Sequence, residues 1–369
     1  MEYQLPKTKK TKVLFVLKNF SRSGGVEKIT LNLIDELTRQ GYKVGVFIMD
    51  GKGVSTDRFS KIDHFVGSSG GVLGIIKYIF RLSRFIKYGK YNLVVSAKEQ
   101  ANLLNFIVRS INNKFTPIYT RHCAFDVSDQ DLTVNQIKIL YNLYSFGRGK
   151  VVAVSNDLAT YIGEAIPRLS NNVYVCPNPV VHPNLHEMAL TNTDGFFHNK
   201  PYICAVGRLC EQKGFDILLN IYKLALIENP KIPDLIIVGE GDDLADLSIL
   251  KKQLGLDNKV YFYGYTENPY YIINNSLLFL LSSRHEGLPT VLIEALALRK
   301  SIVSFDCPTG PREILNDGQY GVLVPENDLS TFSLNINKLL ASPMVLTGDE
   351  TVNYTSERSL ASYLKLVDK

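Results

Sequence analysis

The sequence predicts an α/β protein made of two doubly wound parallel-sheet domains in tandem, and three observations carry the prediction. Short apolar runs alternate with helix-period segments along nearly all of the 369 residues, the pattern of strands joined by crossover helices. The alternation lapses once, between 182 and 200, where His, Pro, Asn, Thr and Gly replace the apolar runs. A chain of this length is also long for a single core and natural for two.

The chain opens with a basic stretch, 1–12, expected to be a disordered tail. Residues 13–17 form an apolar run of strand length. Leu31, Leu33, Ile34 and Leu37 follow at helical spacing, Gly41 stops the helix, and 43–49 returns as a strand, which completes a βαβ unit. Gly24-Gly25 lies in the strand-to-helix turn, where missing side chains let backbone approach a ligand at the sheet's C-terminal edge; a plain tight turn would use the same pair. The dinucleotide fingerprint is excluded because its third glycine is absent. Further strands are expected at 62–66, 93–96, 117–120, 151–154 and 173–176, with helices between them, notably 100–110 and 133–144. In 72–90, Ile75, Ile76, Ile79, Leu82 and Ile86 share one helical face, and Lys77, Arg81 and Arg84 share the opposite one. That helix either rests on an anionic membrane or packs on the sheet with a solvated basic back. Arg121-His122 ends a strand, where open α/β sheets bind ligands. The pair is either a ligand contact or a set of hydrogen-bonded loop residues.

After the lapse the alternation restarts, with strands at 202–206, 234–238, 260–263, 277–281, 302–305 and 321–324 and helices at 215–226, 244–254, 268–274 and 289–298. The expected organisation is a first domain over 13–181, a linker over 182–200, a second domain over 201–350, and a final helix within 351–369 that packs back on the first domain.

Composition narrows the function classes. With 45% hydrophobic and 21% charged residues the chain has ordinary soluble-globular usage. No apolar run approaches bilayer length, and no signal-peptide core adjoins Lys7, Lys9, Lys10 and Lys12, so a cytoplasmic protein, peripheral on the membrane if 72–90 engages lipid, is expected. Five dispersed cysteines in no metal-ligand spacing fit reduced thiols. A net charge of +5 suits an anionic ligand or surface and is too small to argue for nucleic acid. His182 and His186 flank Pro183, which makes a helical metal pair improbable, and Asp129-Gln130-Asp131 spells an Asp-x-Asp that polar loops produce readily.

The chemistry concentrates around 283–298. An apolar strand ends in serines, a Gly-Pro turn follows, and a helix begins with Pro289 suited to its first position. The amides of Thr290 and Val291 then lack intrahelical partners and, with the helix dipole behind them, form an anion site. Glu286 sits at the mouth of the turn and Glu294 inside the helix, with seven residues between them. A second loop, Gly207-Arg208-Leu209-Cys210-Glu211-Gln212-Lys213-Gly214, places two cations between a strand and a helix.

The spacing of Glu286 and Glu294, with Gly287-Leu288-Pro289 after the first acid and Ala295 after the second, resembles the nucleotide-sugar-dependent retaining glycosyltransferases of family 4. Their GT-B architecture has two Rossmann-like doubly wound domains facing a cleft. The Gly207 to Gly214 loop resembles that family's second signature, and Asp306-Cys307-Pro308-Thr309-Gly310-Pro311-Arg312-Glu313 also fits its pattern. The resemblance implies that Arg208 and Lys213 hold a donor diphosphate, where cations stabilise the negative charge that grows on the leaving oxygen. It implies that Glu286 contacts the transferred sugar and Glu294 the ribose hydroxyls. Gly287, Leu288, Thr290 and Val291 would present amides to phosphate, Gly24, Gly25 and Gly264 would let donor approach backbone, and His122 would stand among the catalytic groups. A UDP-linked donor, a saccharide or lipid-linked saccharide acceptor of a surface glycan such as lipopolysaccharide or capsule, and no required cofactor or metal complete the expectation. The rivals are a nucleotide-sugar epimerase or phosphorylase-like enzyme of the same architecture and a non-catalytic nucleotide-sugar-binding module. Retention of both glutamates and both cations argues against the module. A glycosidase pair is disfavoured because Arg208 and Lys213 would have no purpose in hydrolysing a neutral glycoside.

Overall fold

The computed structural model describes residues 11–20, 25–52, 59–68, 71–125, 132–147, 149–195 and 198–366. The expectations placed on 1–10 of the basic tail, on Gly24 and on Asp129-Gln130-Asp131 lie outside these residues. Two compact units result, Met1–Pro179 with Thr355–Lys369, and Val180–Tyr354.

Among the described residues the first unit holds a seven-stranded sheet in the order β3-β2-β1-β4-β5-β6-β7. Its strands are β1 (Lys12–Asn19), β2 (Lys43–Asp50), β3 (Asp63–Val66), β4 (Leu93–Ala97), β5 (Thr116–Arg121), β6 (Lys150–Ala153) and β7 (Val173–Val175), all paired in parallel. The first strand begins at Lys12, inside the stretch expected to be a tail. Helices α1 (Gly25–Arg39), α2 (Gly71–Gly89), α3 (Glu99–Ile111), α4 (Val134–Phe146) and α5 (Asn156–Ala165) connect the strands. Strand β1 shows why the sheet is covered on both faces. Val13, Phe15 and Leu17 enter one core with Leu33 and Leu37, whereas Leu14 and Val16 enter another with Leu82, Ile86, Leu104 and Val108. Alternation along a strand whose neighbours are both apolar demands helices above and below.

In α2 the buried stripe is Tyr78, Leu82 and Ile86, flanked by Ile79 and Phe85. Ile76, expected on that face, is half exposed and joins Phe80, Lys77, Arg81 and Arg84 on the outer side. Tyr78 displaces it because the ring reaches across to Phe47 and Phe65 and its hydroxyl donates to the Ser68 carbonyl at 2.6 Å.

The second unit carries a six-stranded parallel sheet, β10-β9-β8-β11-β12-β13. It is built from β8 (Tyr202–Val206), β9 (Asp234–Val238), β10 (Val260–Gly264), β11 (Phe279–Leu281), β12 (Ile302–Phe305) and β13 (Val322–Val324). Its helices are α6 (Leu185–Leu190), α7 (Phe215–Glu228), α8 (Leu244–Gln253), α9 (Pro269–Asn275), α10 (Thr290–Ala297), α11 (Pro311–Ile314) and α12 (Leu329–Ala341). Three of them, α6, α11 and α12, were not expected. Helix α12 puts Phe332, Ile336 and Leu339 into one core with Leu218 and Tyr222 of α7. Helix α6 lies in the segment expected to be a linker and starts two residues after Pro183, where proline's missing N–H and fixed φ do no harm. Asn268 Nδ2 secures its end by donating to the carbonyls of Met188 and Thr191, each at 2.9 Å. The last helix, α13 (Ser356–Leu364), belongs to the first unit, where Leu360, Tyr363 and Leu364 pack with Leu33, Ile34 and Leu37.

Candidate active site

In the second unit the loop after β8 and the loop after β11 are laid against each other. Gly214 adopts φ +62, and a Cβ there would lie 2.2 Å from the Ser282 carbonyl oxygen, so only glycine permits this approach. Ser282 Oγ donates to the Lys213 carbonyl at 3.0 Å, the Arg284 N–H to the Gln212 carbonyl at 2.8 Å, and Gln212 Nε2 to the His285 carbonyl at 3.0 Å. Arg284 grips Asp216, in the first turn of α7, through two bonds of 2.9 and 2.7 Å. On the other side the Glu286 N–H donates to the Pro308 carbonyl at 2.7 Å, the Thr309 N–H to the Glu286 carbonyl at 3.0 Å, and Thr309 Oγ1 to the Gly287 carbonyl at 2.9 Å. The Asp306 to Glu313 segment, given no role above, is therefore the brace behind the turn.

These contacts bring Lys213 and Glu286 together. Lys213 Nζ stands 2.6 Å from Glu286 Oε1, with the two side chains only 16% and 6% exposed. Ser283 Oγ donates to the same oxygen at 2.6 Å, and Oε2 takes no hydrogen bond among the described residues. A carboxylate held this way has one oxygen committed to the protein and one left for a ligand hydroxyl. Ser283, which had no assigned role, fixes its rotamer; a serine at a strand end gives no sequence signal for such a duty.

Arg208 is exposed on the same loop, its Nη2 3.3 Å from Gln212 Oε1, and it has no carboxylate partner among the described residues. Helix α10 begins at Thr290, one residue later than expected, because Pro289 has a helical φ of −69° but an extended ψ of 94°. Pro289 supplies no side-chain cap, so the first-turn amides, those of Thr290 and Val291 among them, face outward with the dipole behind them. Glu294, in the middle of α10, is buried. Tyr270 Oη lies 3.5 Å from its Oε1 and 3.3 Å from His182 Nε2, so His182 pairs with a tyrosine rather than with His186. Gly264 has φ +89, and its carbonyl accepts from the Gly239 N–H at 2.8 Å. A Cβ on Gly239 would sit 1.9 Å from the Gly207 carbonyl oxygen, so the strand ends here are packed backbone on backbone.

The first unit has its own polar cluster at the C-terminal edge of its sheet. Gly25 opens α1 with nothing near the place a Cβ would occupy. Lys98 Nζ reaches Asn19 Oδ1 at 3.0 Å and the buried Glu27 Oε1 at 2.7 Å, which ties the end of β1 to the first turn of α1. Neither Lys98 nor Glu27 stood out in the sequence, since the contact joins residues 71 apart. Arg121 is buried and serves the loop. Its guanidinium pairs with Glu99, donates to the Cys123 and Ala124 carbonyls at 2.6 and 2.5 Å, and stacks on Phe125. His122 Nε2 lies 3.1 Å from Thr120 Oγ1, and its buried Nδ1 has no hydrogen bond among the described residues. Burial of the ring, then the charges of Arg121 and Lys98, push its pKa down to about 4. The imidazole is therefore uncharged at neutral pH and acts through hydrogen bonds.

Comparison with known proteins follows the same division. A family profile described as "Glycosyl transferases group 1" matches residues 190–358, and one described as "Glycosyltransferase Family 4" matches residues 23–182. An amylovoran biosynthesis glycosyltransferase of Erwinia amylovora is 29% identical over 340 residues, covering 90% of each chain. The N-acetylgalactosamine-N,N'-diacetylbacillosaminyl-diphospho-undecaprenol 4-alpha-N-acetylgalactosaminyltransferase of Campylobacter jejuni is 35% identical over 132 residues, 36% of this chain and 35% of that one. Among solved structures, Anabaena HepE in complex with UDP-glucose superposes with a TM-score of 0.78 at 17% identity, covering 96% of this chain and 99% of that one.

Proposed function

Because the chain belongs to the group 1, family 4 glycosyltransferases and is a glycosyltransferase enzyme, we propose that it moves a sugar from a UDP-sugar to a saccharide or lipid-linked saccharide with retention of anomeric configuration. The observation that carries the reading is the Lys213–Glu286–Ser283 constellation, with one free carboxylate oxygen beside the open N-terminus of α10. A glycosyl diphosphate matches it in charge: the diphosphate toward Arg208, Lys213 and the α10 amides, sugar hydroxyls toward Glu286 Oε2, ribose hydroxyls toward Glu294.

In the proposed step the bond from the anomeric carbon to the leaving phosphate oxygen breaks, and the acceptor oxygen bonds to the same face. The acceptor proton passes to the departing phosphate, and UDP leaves. No protein nucleophile is required. Arg208 and Lys213 meet charge that grows as the bond breaks, which lowers the barrier more than it tightens substrate. These cations and the helix amides supply what a divalent ion would, so we propose that transfer is metal-independent. Acceptor recognition falls to the first unit, with neutral His122 as a hydrogen-bonding group there.

Relatives named for amylovoran biosynthesis and for a diphospho-undecaprenol-linked acceptor support a place in surface polysaccharide assembly. No described helix is long and apolar enough to cross a membrane. The outer face of α2, with Ile76, Phe80 and Tyr88 among Lys77, Arg81 and Arg84, supports peripheral contact with anionic lipid. The test is a thermal-shift screen of nucleotide sugars followed by product analysis with a lipid-extract acceptor. At a hundredfold excess over Kd, binding adds about 2.7 kcal/mol, so UDP and one UDP-sugar should raise the melting temperature by roughly 5–10 °C. A screen in which no UDP compound shifts the transition would contradict the donor assignment.

A further inference from the structure

In the first unit, an open cleft of about 640 Å³ is lined by Lys43, Asp63, Phe65, Arg81, Arg84 and Tyr88, with Phe85, Gly89 and Tyr91 behind them. Lys43 and Asp63 are the first residues of β2 and β3, so the cleft lies at the N-terminal edge of the sheet. His122, Lys98 and Asn19 stand at the opposite edge, where strands end. Nothing in the proposed transfer uses this cleft, and its volume lies within the ordinary range for small-ligand sites.

The floor is built tightly. Tyr91 is buried, stacks on Phe85 at 5.8 Å, and fits against two glycines: a Cβ on Gly89 or on Gly45 would meet its ring or hydroxyl at 2.1 or 2.2 Å. Its hydroxyl donates to Asp63 Oδ2 at 2.9 Å, and Lys43 Nζ pairs with the same oxygen at 2.9 Å. Asp63, the one carboxylate among the described residues lining the cleft, is thereby neutralised from within.

The walls are different. Arg81 lies over the Phe65 ring at 5.3 Å and Arg84 over the Tyr88 ring at 5.7 Å. Neither is paired with a carboxylate among the described residues. Stacking on an aromatic face holds a guanidinium plane and leaves its N–H edge free to take oxyanion oxygens two at a time. Two such forks beside an aromatic wall select an anion with an apolar or ring-bearing attachment.

We infer that this cleft binds a phosphate-bearing ligand, held by Arg81 and Arg84 and packed against Phe65 and Tyr88. Two sources share that chemistry, a lipid head group and a soluble phosphate. The inference stands apart from the transfer reading, because its residues belong to none of the proposed donor site, and its head-group arm rests on the reading of α2 as a lipid-facing helix, which it narrows to Arg81, Arg84 and Tyr88.

The test is titration calorimetry on the full chain with two probes, inorganic pyrophosphate and short-chain phosphatidic acid below its micelle concentration. Both are monomeric, so diffuse attraction to a charged surface does not enter. Two double variants of equal charge change are compared, Arg81→Gln/Arg84→Gln in the cleft and Lys87→Gln/Lys114→Gln at exposed positions of the same unit outside it. Matching circular dichroism and melting temperatures establish that both fold. Affinity for at least one probe should fall about tenfold or more in the arginine variant and by no more than about twofold in the lysine variant. Loss with pyrophosphate identifies a soluble phosphate, and loss confined to the lipid identifies a head group. Equal losses in the two variants, no loss in the arginine variant, or no binding of either probe by the wild type would overturn the inference.

Discussion

Lys213 and Glu286 depend on each other. Each side chain is largely withdrawn from water, and removing one leaves the other poorly solvated and unpaired, a far larger penalty than the pair's net contribution. Glu286→Ala and Lys213→Ala should each lower kcat/KM by about a hundredfold to a thousandfold, and the double variant should be little worse than either. Steady-state rates in a double-mutant cycle measure this; additive losses would show that the two side chains act separately. His122 gives a pH signature. Its folded pKa of about 4 lies below the ordinary 6.5, so the unfolded chain binds the proton more tightly. Its contribution to stability is complete above pH 6.5 and is lost as pH falls toward 4. Melting curves over that window should show His122→Gln losing less stability on acidification than the wild type, and parallel curves would refute the neutral buried ring. The acids and cations were legible one by one, because glutamate, arginine and lysine beside glycine-rich turns announce themselves. The partners of Glu286 and Glu294 were not, nor was the Lys98–Glu27 pair: Ser283, Tyr270 and Lys98 matter through contacts that only the folded chain makes.

At the scale of elements, strands and long helices were legible because their periods differ and their cores are apolar. What sequence reasoning missed has two causes. In α12, Phe332, Ile336 and Leu339 stand at helical spacing after an Asp328 cap, a local signal masked by the serines and asparagines between them. Helix α6 has only six residues and is held by contacts from far along the chain, Asn268 and Asn274 among them. Asn268→Ala should remove one of the two donors that the Met188 and Thr191 carbonyls each have, the other being a backbone N–H, at about 0.5–1.5 kcal/mol per bond, and lower the melting temperature by roughly 2–12 °C while the rate per folded molecule is kept. An unchanged melting temperature would mean the helix stands without that cap. Gly214→Ala acts in the opposite sense. Its Cβ would drive Ser282 away from the Lys213 loop, so activity should collapse in protein that still folds, as near-native kinetics with a folded spectrum would disprove.

For the molecule as a whole, tandem doubly wound units follow from alternation, length and one polar lapse, and the second unit was the more legible because its chemistry lies in two short loops. The first unit was less so: its polar cluster is assembled from the ends of β1, β4 and β5, whose residues carry no shared spacing. Cations and helix amides at the proposed donor site should make transfer insensitive to chelation. Activity kept within about twofold in EDTA is expected, and strict dependence on added divalent metal would contradict the proposed role of Arg208 and Lys213. The most direct measurement is the anomeric configuration of the first product, followed by proton NMR during turnover of a UDP-sugar with α-configured sugar. Retaining transfer by the Lys213–Glu286 site gives the α-product from the earliest points. A β-product formed first, or hydrolysis without transfer in the presence of a competent acceptor, would contradict it.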